Sequence, residues 1–368
     1  MIHGLKITLL TALSGMLLLS CQQSIEPLTP SSGMECDLTA PISIGVTGMQ
    51  LTRGYDPLTT STIADIGVFA GYSAPNQTFN ASTQATSAFS NAKFSKGADG
   101  KWHGSTPRYW PVTGSLSLFA YAPYSESVTV ASSYAGGPLA ISYSPNQDMV
   151  TSQTDLSVAA PVFNKDKTAG VQSLAFQHTT ALVLFYGNYT GTPPDGMFKP
   201  QIDRIEVGGV IGTKTLTFGS GANPDQYSWE ADGTLPKDAT YILYNSRNEV
   251  HNDPASYPLP LNTDNAAGIN LSDLNGRLYM LPQTLTAQNT LKIYWSFMQN
   301  NGSRWVRVSQ FVEETHLPYG EGAPVWEAGK KIVYHMTLDL GSFSLAGITA
   351  SVTDWIDSGN PTQNSLIE

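Results

Sequence analysis

Few residues of this 368-residue chain have the types and spacing that chemistry requires. Glu313, Glu314 and His316 form the densest group of side chains that could transfer protons as a general acid and base. They follow a strand-like segment, Val306 to Val312, and neighbouring side chains on a strand face opposite ways. The pattern therefore favours an exposed, charged strand end over a catalytic site. The chain contains no HExxH, GxSxG, Walker A or dinucleotide-binding motif, so we expect neither an enzyme nor a cofactor.

Composition argues against two further classes of function. Asp and Glu number 29 against 19 Lys and Arg, which gives a net charge of −10 and a pI of about 5.0. With no basic patch in the sequence, nucleic acid is not expected as a partner. The two cysteines, Cys21 and Cys36, lie in no CxxC motif and the six histidines are scattered, so no metal site is predicted.

The N-terminus carries the clearest chemical signal. Residues 1–20 have the basic start and short apolar core of a signal peptide, a core too short to span a bilayer comfortably. The motif Leu18-Leu19-Ser20-Cys21 matches a bacterial lipobox, in which cleavage leaves Cys21 first and its thiol and amine are acylated. Several acyl chains hold a protein stably on a membrane. Cys36 is expected to be a bystander, because lipidation would use the Cys21 thiol.

Residues 21–53 then contain a polar tether followed by a first strand, Ile42 to Leu51. Ile42, Ile44 and Val46 alternate with small or polar residues, which is the pattern of a half-buried strand.

The rest of the chain has the pattern of short strands joined by turns. Charged residues make up only 13% of the composition, and no long amphipathic helix or fixed-period repeat occurs. Alternation is cleanest over Lys330 to Leu340, and Asn300-Asn301-Gly302 predicts a hairpin turn. A second hairpin is predicted around Gly212, between Ile202–Ile211 and Thr213–Phe218. The length and strand spacing predict an all-β chain of two stacked β-sandwiches.

Eight short segments are spread over most of the chain, and most of them contain aromatic, proline or glycine residues. They are Tyr109-Trp110-Pro111, Leu118 to Tyr124, Asp155-Leu156, Leu174 to Leu182, Met280 to Gln283, Trp326, Gly329 to Tyr334, and Val352 to Trp355. In this order, and together with the lipobox, they resemble the signatures of the Bacteroidales fimbrillin family.

The resemblance implies two tandem transthyretin-like β-sandwich domains, residues 54–168 and 169–368, and export as a lipoprotein to the outer membrane. It also implies that an Arg-specific protease removes an N-terminal strand and that subunits then assemble into fimbriae by strand exchange. Arg53 matches the cleavage position, with Gly54 after it where relatives commonly have Ala. The implied partners are other fimbrial subunits in a homo- or heteropolymer, the outer membrane through the lipid on Cys21, the protease, and a ligand on a host or bacterial surface.

Elementary physical chemistry explains how removal of the strand could lead to assembly. A cut after Arg53 would leave a row of unpaired backbone groups and would empty the apolar pockets of the strand. The side chains that define this removable strand are Ile42, Ile44, Val46 and Leu51. A strand of the next subunit can restore both ladder and pockets, and each refilled pocket is worth about 1.5–3 kcal/mol before ordering costs.

The donor of that strand is predicted near the C-terminus. Ile348, Ala350 and Val352 alternate on the last predicted strand and are the candidate donor residues. The polar tail after Trp355 could extend it.

A second hypothesis is a non-polymerising, glycan-binding outer-membrane lipoprotein of a nutrient-uptake system. Trp102, Tyr109 and Trp110 could form a platform for sugar rings, although aromatic residues beside proline more often serve packing. A third hypothesis, a surface glycosidase, would need two facing carboxylates, for which the sequence gives no local signal.

Overall fold

The computed structural model of the chain describes residues 34–47, 63–80, 86–98, 100–125, 128–132, 139–147, 153–192, 198–219, 227–245, 269–271, 278–300, 302 and 305–355. Within these ranges every regular element is a strand, which confirms the all-β prediction. The same residues contain no helix that is long and apolar enough to cross a membrane.

The strands are, in chain order, β1 (Cys36–Pro41), β2 (Ile44–Thr47), β3 (Asp65–Ser73), β4 (Ser87–Lys96), β5 (Trp102–Gly104), β6 (Tyr109–Pro111), β7 (Ser115–Ala122), β8 (Thr129–Ser132), β9 (Ala140–Tyr143), β10 (Ser157–Ala159), β11 (Val162–Lys165), β12 (Gln172–His178), β13 (Ala181–Thr190), β14 (Phe198–Val210), β15 (Lys214–Phe218), β16 (Tyr227–Trp229), β17 (Ala239–Asn245), β18 (Ile269–Asn270), β19 (Leu278–Met280), β20 (Thr290–Asn300), β21 (Trp305–His316), β22 (Lys330–Asp339) and β23 (Ser344–Asp354).

An eight-stranded sheet dominates the N-terminal half, in the order β10-β12-β2-β5-β4-β3-β7-β11. Because β10 also pairs with β7, the sheet closes into a ring. Alternation places Val68 and Leu118 in the core inside this ring, whereas Phe69 and Phe119 face outward. The outward aromatic residues pack against the four-stranded sheet β16-β15-β9-β8, so β3 and β7 are buried on both faces.

The C-terminal half contains two facing sheets. One sheet has the path β18-β13-β22-β23, with β19 also paired to β13, and the other has the order β17-β14-β20-β21. Their inner faces share one apolar core that includes Phe185, Trp295 and Tyr334. The alternation predicted over Lys330 to Leu340 is observed in β22, where Ile332, Tyr334, Met336 and Leu338 are all buried.

The two predicted hairpins had different outcomes. Strands β20 and β21 pair antiparallel from Asn300 and Trp305 onward, so the hairpin at Asn300-Asn301-Gly302 is confirmed. The hairpin around Gly212 is wrong, because β14 pairs with β17 and β20 whereas β15 pairs with β9 and β16. Close neighbours in sequence thus enter different sheets, and alternation alone does not specify a partner strand.

The division at residues 168 and 169, and the transthyretin-like layout of each half, remain predictions. Strand β12 follows the expected boundary, yet it pairs with β2 and β10 of the ring. The sheet β16-β15-β9-β8 likewise combines strands from both sides of that boundary.

The expectation that Cys36 is a bystander is wrong. Cys36, the first residue of β1, is disulfide-bonded, and its partner lies outside the described residues. One cysteine sulfur cannot be lipidated and disulfide-bonded at the same time. A test of lipidation at Cys21 therefore has to show whether its sulfur carries a lipid.

Candidate functional site

Strand β2 occupies a position between two other strands of the ring. It pairs in parallel with β12, from Ile44 opposite Gln172 to Thr47 opposite Ala175. On its other side it pairs with β5 at a single position, Ile44 opposite Trp102. No described pairing joins β12 directly to β5. The ring between them is therefore closed by β2 alone among the described strands.

The side chains predicted for the removable strand face the core of the ring. Ile42 is 7% exposed and Ile44 is 2% exposed, and Val46 is half-buried against the same core. The strand differs from the prediction in one respect: Ile42 precedes β2 and its N–H donates to the carbonyl of Arg108.

The remaining predicted site residues at the N-terminus are Cys21, Leu51, Arg53 and Gly54. They lie outside the described residues and stay predictions.

Main-chain hydrogen bonds hold the N-terminal segment along two other strands. The Val112 N–H donates to the carbonyl of Glu35 at 2.8 Å, beside the pairing of β1 with β6. The Gln172 N–H donates to the carbonyl of Ser43 at 2.9 Å. Loss of the segment would leave both donors needing new acceptors, and an extended strand is the simplest way to supply these.

Two polar side-chain contacts add to this attachment. Thr47 and Ser173 share a hydroxyl hydrogen bond of 3.1 Å between β2 and β12. Lys167 Nζ lies 2.8 Å from Asp37 Oδ2, and hydrogen bonding from Lys167 is the main reason that the pKa of Asp37 is lowered to about 2.

The predicted donor residues lie on β23, at the edge of a C-terminal sheet. Strand β23 pairs antiparallel with β22, with Ile348 opposite Met336, Ala350 opposite Tyr334 and Val352 opposite Ile332. No described strand pairs with its other side. Burial falls along the row, since Ile348 and Ala350 are half-buried against the core whereas Val352 is 44% exposed.

A buried polar cluster lies where β12 ends. Asp155 is buried, and its carboxylate accepts hydrogen bonds from Thr180 at 2.8 Å and Ser157 at 3.1 Å and contacts His178 Nδ1. The His178 ring also stacks on Trp355, with ring centroids 4.0 Å apart and planes at 14°. His178 is a packed strand histidine, as the sequence predicted.

The contacts of His178 with Asp155 and Trp355 were not predicted. Asp155, His178 and Trp355 belong to three separate segments that carry the family resemblance. The occurrence of these segments together in one chain was the sequence signal that connects the three residues. Single-sequence spacing could not have placed them together.

The other residues whose types could support chemistry lie on separate strands, β21, β5 and β6. On β21, an edge strand, Glu313 lies opposite Ile293, and Glu314 lies opposite Lys292 and is 3.1 Å from its Nζ. The predicted exposed strand end is thus observed. Trp102 and Trp110 are buried in the ring core, where they cannot serve as an exposed sugar platform. The described residues contain no cluster of His, Cys, Asp and Glu suited to a metal ion.

These features define a class of protein: an all-β chain with a strand inserted between ring strands near its N-terminus and an exposed edge strand near its C-terminus. A model of the fimbrillin-like family matches residues 52–355, and the chain belongs to that family. It is a structural, fimbrial type of protein and not an enzyme. The matched region begins after β2.

A solved structure shares this fold at low sequence identity. A fimbrial protein from Bacteroides vulgatus aligns with a TM-score of 0.63 and 17% identity, over 85% of this chain and 99% of that one. A protein from Bacteroides uniformis, described as a candidate cell adhesion protein, aligns with a TM-score of 0.49 and 16% identity, over 86% and 100% of the two chains. No curated protein sequence matches this chain.

Proposed function

We propose that this chain is a subunit of outer-membrane fimbriae that is exported as a lipoprotein, cleaved after Arg53 and assembled by strand exchange. The observation that carries the proposal is the position of β2, which alone among the described strands closes the ring between β12 and β5. Removing it would open a slot lined by apolar side chains and by the edges of β12 and β5 that had paired with β2. A neighbouring subunit could fill that slot with a strand of its own.

The sequence of β23 resembles that of the segment it would replace. Ile348-Thr349-Ala350-Ser351-Val352-Thr353 repeats the pattern of Ile42-Ser43-Ile44-Gly45-Val46-Thr47, with Ile, Val and Thr at the same positions in both segments. In this register Thr353 would replace Thr47 as the partner of Ser173. Ala350 would replace Ile44, the most deeply buried of the three apolar side chains on the removable segment, and would leave part of that pocket empty.

The edge position of β23 also suits a donor. Among the described strands it pairs with β22 alone, and Val352 is 44% exposed. In the slot of a neighbour it would lie between β12 and β5 in place of its pairing with β22, and its apolar side chains would face the ring core, each worth about 1.5–3 kcal/mol when fully buried.

Lipidation of Cys21 would deliver the precursor to the outer membrane, and the cut would then separate the anchor from the assembled subunit. Mass spectrometry of the N-terminal peptide of the exported protein tests this step. We expect the peptide mass to include acyl groups on Cys21. A Cys21 that carries no acyl groups would contradict lipid delivery without affecting strand exchange.

The central test uses the purified precursor, an Arg-specific protease and the matched variant Arg53→Lys, which keeps the charge and removes the cleavage site. We expect a new N-terminus at Gly54 and oligomers on size-exclusion chromatography for the parent, and neither for the variant. Cleavage at Arg53 without oligomers would disprove strand exchange as the assembly mode, and the absence of a cut would disprove the processing step.

A further inference from the structure

Strand β12 pairs with β2, and its last residue, His178, stacks on Trp355, which follows β23. Its first half, Gln172 to Ala175, pairs with β2. Its second half, Phe176 to His178, pairs with β10. Among the described strands these two halves have no common partner, so β2 is the only described strand that pairs with the first half.

The end of β12 also holds the end of β23. Trp355, just after β23, is buried, and its ring stacks on His178 at 4.0 Å and lies 5.8 Å from the Tyr279 ring. The Trp355 N–H donates to the carbonyl of Gly329 at 2.8 Å, and the Gly329 N–H donates to the carbonyl of Thr180 at 2.9 Å. Trp355 is thus fixed against residues that flank His178.

The rest of β23 is attached mainly through its ladder with β22, from Asp354 opposite Lys330 to Ser344 opposite Asp339. Its outer side has no described strand partner, and most of its side chains are exposed. Lys330 and Asp354 form an exposed ion pair near its end, a type of contact that contributes little. At its other end Phe343, in the turn from β22, stacks on Phe311 with centroids 5.4 Å apart. Among the described side-chain contacts, the Trp355 stack is therefore the main anchor of the C-terminal end of β23, in addition to the ladder with β22.

We propose that β12 couples the N-terminal segment to this anchor, so that loss of β2 loosens Trp355 and releases the end of β23. The inference rests on the proposed function, in which β2 is removed and β23 is the donor. Without β2, the first half of β12 loses its ladder. Its second half then depends on the short pairing with β10, on the hydrogen bond that the Tyr227 hydroxyl donates to the carbonyl of His178 at 3.1 Å, and on the contact of His178 with Asp155. Displacement of β12 shifts His178, and the stack on Trp355 weakens with it. Uncut precursors would then keep their donor strands docked, and cut subunits would present them.

The test needs neither protease nor assembly, because β2 can be destabilised in the full chain by a point substitution. Val46 in β2 and Val162 in β11 are both half-buried valines against the ring core, and they give a matched pair, Val46→Asp and Val162→Asp. We expect Val46→Asp to raise hydrogen exchange about tenfold in residues 172–178 and also in residues 350–355. Val162→Asp should leave exchange in residues 350–355 unchanged.

Coupling between two sites is reciprocal, which supplies the second arm. Trp355→Ala in the full chain should raise exchange in residues 42–47, whereas Val352→Ala, on the exposed part of β23, should not. If either Asp variant fails to fold, Val46→Ala and Val162→Ala replace the pair with smaller expected changes. Faster exchange in residues 172–178 without any change in residues 350–355 would overturn the coupling and leave strand exchange itself intact. Failure of the protease to cut at Arg53 would overturn the processing step and leave the coupling intact.

Discussion

Strands β2 and β23 carry similar sequences but have opposite environments. Strand β2 is short, lies between β12 and β5, and contributes buried apolar side chains to the ring core. Strand β23 is much longer and is largely exposed. Among the described strands it pairs only with β22. The difference teaches that burial of side chains follows the position of a strand in its sheet and not its length, since the longer strand is the more exposed one. Strand exchange would move the β23 sequence from an exposed edge to a position between two strands.

The largest expected effect contrasts one isoleucine of each segment. Ile44→Ala should lower the free energy of unfolding by about 2–5 kcal/mol, because it empties a pocket that the surrounding ring cannot fill. Ile348→Ala should cost about 1 kcal/mol, since Ile348 is only half-buried at a sheet edge. Urea denaturation of both full-length variants measures the difference. Equal losses would contradict the contrast between the two environments.

The second prediction asks whether the slot accepts the β23 sequence in the proposed register. A peptide covering residues 344–355 should bind the cleaved protein, and Ala350→Ile in that peptide should tighten binding about tenfold, because Ile refills the Ile44 pocket. The matched control is Ser351→Val, which corresponds to Gly45. Fluorescence anisotropy of labelled peptides provides the dissociation constants. A larger gain from Ser351→Val than from Ala350→Ile would mean that the register is shifted by one residue.

Sequence alone predicted the elements better than their partners. Alternation identified the core-facing residues of β22 and the side of the N-terminal segment that carries Ile42 and Ile44. It could not show that β2 pairs in parallel with β12, because a period of two is common to every half-buried strand. The hairpin at Gly212 failed for the same reason.

The candidate site shows the same division. The apolar residues of the removable segment were found from local pattern, since burial on one face leaves a direct trace in the sequence. The cluster of Asp155, His178 and Trp355 depends on three distant segments meeting in the folded chain, and nothing local in any of them encodes that meeting.

The smallest expected effect concerns the exposed ion pairs of the two segments. Asp37 is paired with Lys167 on the N-terminal segment, and Asp354 with Lys330 beside β23. The folded-state pKa of Asp37, about 2, lies below the ordinary value of 3.8, mainly because of hydrogen bonding from Lys167. Its contribution to stability is therefore complete above pH 3.8 and is lost as the pH falls through that value towards 2.

The comparison is made with Asp37→Asn and Asp354→Asn in the full chain. At neutral pH and low salt, Asp37→Asn should raise hydrogen exchange slightly in residues 36–41 and leave residues 344–354 unchanged, whereas Asp354→Asn should do the reverse. Both changes should shrink in 1 M salt, where exposed charges are screened within about 3 Å. If the effect of Asp37→Asn persists in 1 M salt, the Asp37 carboxylate acts chiefly by accepting hydrogen bonds from Thr39. The ion pair with Lys167 would then not contribute to holding β1 in place.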